Sequence, residues 1–108
     1  QVTEEGIAIV AGEPGVIYGP VLIAQTADIL LSMLGVVASF VIAAREDGKI
    51  GISARSLGDV NVQVVMEKLG GGGHLTNAAC QLEVDSVEEA ERLLREALMD
   101  TDEGGNES

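Results

Sequence analysis

At 108 residues with a formal net charge of −12, the chain is one domain's worth, long enough for a single core and too short for two. It is 46% apolar but has only Tyr18 and Phe40 as aromatic residues, so the core must be aliphatic. Six lysines and arginines against eighteen carboxylates argue against long nucleic acid as a partner, because such binding draws its affinity from many cationic contacts to phosphates.

"GIAIVAG" at 6 to 12 is a short apolar run bounded by glycines and reads as a buried strand. "EPGVIYGP" reads as a loop. Pro20 suits the start of a helix and Gly35 its exit, with Leu22, Thr26, Ile29, Leu30 and Met33 recurring at helical spacing as the expected core-facing stripe. The apolar run from 21 to 44 is broken by Gln25, Asp28, Ser32, Gly35 and Ser39, and a transmembrane helix would need about 20 predominantly apolar residues. No membrane span is expected, and the lone Cys80 suits a reducing cytoplasm.

"VVASFVIAARE" and "KIGISARSL" flank Asp47-Gly48, a strong hairpin signal, which predicts antiparallel strands at about 36 to 45 and 49 to 56. The first is apolar on both faces and so belongs inside a sheet. Asn61 can cap a helix carrying Val62, Val65, Met66 and Leu69 inward. "NAACQLEV" reads as a further strand, and "SVEE" at 86 to 89 as a capping box opening a helix with Val87, Ala90, Leu94 and Ala97 inward. The expected fold is α/β (α+β): one domain over residues 1–100, with a mixed sheet of about four to five strands and helices packed on it, then a disordered acidic tail at 101–108.

The stretch "GGGGHLTNAAC", residues 70 to 80, stands out. Glycine loses the most backbone entropy on folding, so four in succession weaken a domain unless the backbone there has an unusual task. A phosphate loop of the nucleotide-hydrolase kind needs a strand before the glycines and a Lys after them, and the dinucleotide fingerprint also needs the strand; here a helix precedes and no Lys follows. A plain turn, with Gly70 closing the helix, is one reading. The other is a ligand cradle: glycines let backbone N–H groups approach an anion, and His74, the chain's single histidine, adds a donor that can bind a phosphate or protonate a leaving group.

Charge distribution favours the cradle. Residues 83 to 108 carry ten carboxylates against Arg92 and Arg95, whereas residues 69 to 82 carry no charge. On the strand "KIGISARS", Ile50, Ile52 and Ala54 alternate to one face, so Gly51, Ser53 and Arg55 share the other, with Ser53 and Arg55 roughly 6.6 Å apart. Together they can address one phosphate. A surface ion pair for Arg55 is the plainer alternative.

"SARSLGDVNVQV" together with "GGGGHLTNAA" resembles the DHHA1 domain, the partner of the DHH phosphoesterase domain, in the wording of the cyclic-di-AMP phosphodiesterases of the GdpP type; the similarity runs from about residue 21 to residue 98. The resemblance implies a domain that closes over a cleft against a DHH domain of the same parent chain. That domain carries two manganese ions and activates the water that opens cyclic-di-AMP to the linear di-adenylate. It further implies that Arg55, Ser56, Gly71, Gly72, Gly73 and His74 hold the substrate phosphates, with Asn77 a further contact; strand alternation adds Ser53 beside Arg55. The parent protein resembles a membrane-anchored enzyme with its catalytic part in the cytoplasm, and a homodimer through the parent is left open. The departure from that pattern is an absent Asp-His-His motif: with a single histidine, a binuclear manganese site in this chain is implausible, so it should hold no metal and no catalytic residue of its own.

Other functions stay open: half of a DHH-family oligoribonuclease or adenosine bisphosphate phosphatase, or a non-catalytic dimerisation or ligand-sensing module in which the glycines are only a turn.

Overall fold

A computed structural model describes residue 3 and residues 5 to 107, with side chains up to residue 100. The chain runs β1 (Ile7–Ala11), α1 (Pro20–Leu31), β2 (Ala38–Ala44), β3 (Ile50–Ser56), α2 (Val62–Lys68), β4 (Gly72–His74), β5 (Asn77–Leu82) and α3 (Val87–Glu107). The five strands form one sheet in the order β1-β2-β3-β5-β4, with β1 parallel to β2 and every other pairing antiparallel. This is the mixed sheet expected, with one more strand than the sequence pattern marks. The tail expected at 101–108 lies outside the residues whose side chains are described.

Strand alternation divides the sheet cleanly. Phe40 and Ile42 of β2, Ile52 and Ala54 of β3, and Ala78 and Cys80 of β5 point to one face, where α2 and α3 bring Val62, Val65, Met66, Val87, Ala90 and Leu94. That is the aliphatic core. Both helices open as their caps predict: the Val64 N–H donates to Asn61 Oδ1 at 3.2 Å and the Glu89 N–H to Ser86 Oγ at 3.2 Å.

Helix α1 lies across β2 on the opposite face. Pro20 occupies its first turn. Ala27 is fully buried, and the buried Ser39 hydroxyl of β2 donates to the Ala27 carbonyl at 2.7 Å, so the helix backbone is drawn close to the sheet. The inward stripe expected for α1 is corrected here. Leu22, Ile29 and Met33 are more than half exposed, and Ala27, with Ile23, Leu30 and Leu31 half-buried beside it, faces the sheet. Apolar residues recur on both sides of this helix, so periodicity alone did not select the buried one. The helix also ends at Leu31, before Gly35, which sits at φ 85° in the turn that follows.

The β2–β3 hairpin turns through Glu46, Asp47 and Gly48, with Gly48 at φ 85° and the Arg45 N–H donating to the Lys49 carbonyl at 2.9 Å. Cys80, 4% exposed, sits under the helices, and burial pushes its thiol up to about 11. The folded chain therefore keeps its thiol proton at a pH where the unfolded chain has already lost it. This contribution to stability is intact below the ordinary thiol range and is lost as pH rises toward 11. Denaturation midpoints measured across the alkaline range should fall more steeply for the natural chain than for Cys80→Ala. Equal slopes would remove the thiol from the account.

Candidate functional site

The four glycines have separate tasks. Gly70 follows α2 at φ 89°, its N–H donating to the Glu67 carbonyl at 3.1 Å while the Gly71 N–H donates to the Met66 carbonyl at 2.8 Å. This pair of bonds is a Schellman closure of the helix, and it accounts for Gly70 without any ligand. The chain then runs directly into β4 against β5, so the glycines from 72 onward form an edge strand rather than a loop. A three-residue strand with two glycines has no propensity signature; its pairing with β5 alone defines it.

Gly71 and Gly73 are held tightly against β5. A Cβ at Gly71 would overlap the Ala79 carbonyl oxygen and lie 2.5 Å from Cys80 Cβ, and one at Gly73 would lie 2.5 Å from both Ala78 Cα and the Asn77 oxygen. Gly73 is also at φ 143°. Gly72 differs: its φ is not positive, and an added Cβ would meet no atom within 4 Å. Because Gly72 is paired with Ala79, that open space lies on the face of Ser53, away from the core.

Register then assembles the predicted residues. Arg55 of β3 pairs with Asn77 of β5, and Asn77 pairs with His74 of β4, so the three side chains stand in one row across adjacent strands about 4.8 Å apart. Ser53, Ala79 and Gly72 form the next row on the same face. His74 and Asn77 are exposed, while Ser53 and Arg55 are half-buried. Three donor side chains and a hydroxyl thus share one face of the sheet, which α1 borders at Arg55 through Asp28.

Arg55 is already oriented. Its Nε donates to Asp28 Oδ1 of α1 at 3.0 Å, and Nη1 donates to Ser53 Oγ at 3.2 Å and to the Ala54 carbonyl at 3.0 Å. The surface ion pair does not exclude a binding role, since Asp28 fixes one edge of the guanidinium and holds a rigid cation in place. Ser56 is placed elsewhere. It is 4% exposed, pairs with Ala38 on the core face, and its Oγ accepts from the Gly58 N–H at 2.9 Å and the Val60 N–H at 3.4 Å, closing the turn into α2. Adjacent residues on a strand cannot share a face, so Arg55 and Ser56 do not act together on one ligand.

Below this row the same face hollows into a groove of about 520 Å³, within the range of ligand pockets. Ser53, Gly70 and Gly71 line it, as do Gln81 and two cations the sequence reading passed over, Arg45 and Lys49. The signal for them was Gly51, a glycine inside a strand, which marks a close approach. Arg55, Asn77 and His74 stand beyond its lining, at the upper rim. Among the described residues no three His, Cys, Asp or Glu side chains converge, so the donor set does not fit a metal centre and no metal-dependent step is derived for this chain. No helix among the described residues is long and apolar enough to cross a membrane.

Comparison with known proteins matches this arrangement to a family. The chain is 65% identical over 96% of its length to the cyclic-di-AMP phosphodiesterase GdpP of Geobacillus thermodenitrificans and 58% identical over 82% to GdpP of Bacillus subtilis. It is 56% identical over 91% to the cyclic-di-AMP phosphodiesterase PdeA of Listeria monocytogenes. It spans only 16%, 13% and 15% of those three proteins respectively. Among solved structures, an exopolyphosphatase-related protein from Bacteroides fragilis superposes with a TM-score of 0.62 at 28% identity, over 68% of this chain and 22% of that one. The pGpG-specific phosphodiesterase PggH of Vibrio cholerae superposes at 0.59 over 91% of this chain and 33% of that one, and at 18% identity it speaks for the fold alone. The DHHA1 domain family model covers residues 7–100, and with that match the chain belongs to the DHHA1 domain family.

Proposed function

We propose that the open face binds the phosphate groups of an adenine dinucleotide, and that the chain is the substrate-binding domain of a phosphodiesterase that opens cyclic-di-AMP to the linear di-adenylate. The observation that carries this is the row of Arg55, Asn77 and His74 beside Ser53, with Asp28 of α1 orienting Arg55. The names of the three cyclic-di-AMP phosphodiesterases to which the chain is similar support the substrate.

In this reading the guanidinium of Arg55 supplies a charge-assisted bond to a non-bridging phosphate oxygen. Asn77 and His74 donate from the neighbouring strands, and Gly72 leaves room for the phosphate to reach the sheet. Hydrolysis takes place on a DHH domain of the parent protein, which carries two manganese ions. The domain described here contributes position and water exclusion. The parent is anchored in the membrane with this domain on the cytoplasmic side, and it works as a homodimer.

Calorimetric titration of the chain with cyclic-di-AMP, linear di-adenylate and a short RNA, alone and with the DHH domain added, tests the reading. Weak dinucleotide binding alone, tighter binding in the mixture and manganese-dependent cleavage only in the mixture are the expected results. Absence of binding in both settings overturns the proposal, and so does turnover by the isolated chain.

A further inference from the structure

The groove has a second cationic end. Arg45 follows β2 on the same face as Ser39 and Val41, and its side chain crosses to β3 over Gly51. A Cβ at Gly51 would lie 3.1 Å from Arg45 Cδ and 3.4 Å from Cγ, so the missing side chain is what lets the arginine lie flat against the sheet. Asp47 fixes its orientation, accepting from Nε at 3.2 Å and pairing with Nη2 at 3.2 Å. The Lys49 N–H in turn donates to Asp47 Oδ1 at 3.0 Å; this bond above all, then the Arg45 guanidinium, holds the Asp47 carboxyl below its ordinary range. Arg45 and Lys49 both line the groove, and Gly51 and Ser53 separate them from Arg55 along β3.

We propose that Arg45 is a specificity residue that takes the second phosphate of a dinucleotide, while the Arg55–Asn77–His74 row takes the first. This inference rests on the phosphate-binding reading above and adds the substrate size. The two cations sit at opposite ends of an uncharged floor made of Gly51, Ser53, Ala79 and Gln81. Pro20 and Ile23 of α1 give that floor an apolar side wall, which suits the sugar and base between two phosphates. A mononucleotide reaches one end only; a dinucleotide spans both. Asp47 plays the part Asp28 plays for Arg55, with an acidic side chain locking each guanidinium before the ligand arrives.

Binding of cyclic-di-AMP and of AMP to the chain and to Arg45→Gln provides the test. The natural chain should prefer the dinucleotide. Arg45→Gln should weaken dinucleotide binding by about tenfold or more while changing AMP binding less than about twofold. Gly51→Ala, which displaces the flexible arginine stem and meets backbone only at 3.9 Å, should reproduce that loss and add nothing when combined with Arg45→Gln. Equal losses on both ligands, or none on the dinucleotide, overturn this inference and leave the phosphate-binding reading standing. If the natural chain binds neither ligand, alone or with the DHH domain added, the reading itself falls.

Discussion

Gly72→Val should abolish dinucleotide binding in a chain that folds as before, whereas Gly71→Val and Gly73→Val should unfold it or come close. The three residues are neighbours in sequence, and their surroundings separate them. At Gly72 a side chain enters open space on the groove face at an ordinary strand φ, where valine is favoured. At Gly71 and Gly73 it enters the backbone of β5. Overpacking of that kind costs about 1 to 3 kcal/mol. At Gly73 the positive φ adds about as much again. Circular dichroism and denaturation midpoints report the fold, and calorimetry reports the binding. A valine at 72 that binds as well as glycine would reduce the whole run to a helix stop and a strand edge.

Arg55→Ala has the second largest expected effect, and the assay needs a protein carrying both the DHHA1 and DHH domains. Loss of one charge-assisted phosphate bond, worth about 1.5 to 3 kcal/mol, should lower kcat/KM on cyclic-di-AMP by roughly ten- to a hundredfold. The fold should survive, because the bond to Asp28 is made at a carboxylate that is 64% exposed, and exposed pairs contribute little. Arg55→Lys should restore only a small part: an ammonium cannot hold Asp28, Ser53 and a phosphate in the planar fork that the guanidinium provides. Unchanged kcat/KM in a folded alanine variant would sink the assignment.

Much of this was legible in the amino-acid order. The Asp47-Gly48 turn, the Asn61 and Ser86 caps and the inward residues of α2 and α3 are local signals, and local physics placed them. The period-two pattern of "KIGISARS" likewise separated Ser53 and Arg55 from the core. What was not legible depends on long-range pairing. Nothing in "GGGGH" marks a strand, since β4 exists only through β5, and the row of Arg55, Asn77 and His74 exists only through two registers. The buried side of α1 escaped for a related reason: a small alanine and a serine hydroxyl on β2 decide it, and neither carries a hydrophobic signal as strong as the leucine and isoleucine on the outer side.

The alternation of β3 and β5 also bears on how such a domain changes over time. Even-numbered positions from 50 to 54 and 78 to 82 hold the core, and odd-numbered ones form the floor of the groove. Recognition can therefore drift by single substitutions at the odd positions while the even ones keep the protein folded. An insertion or deletion of one residue within either strand has no such freedom, because it exchanges the two sets at once and turns the core residues out onto the groove face. Lineages carrying this domain can retune what they bind one side chain at a time, but the lengths of these two strands are not theirs to vary.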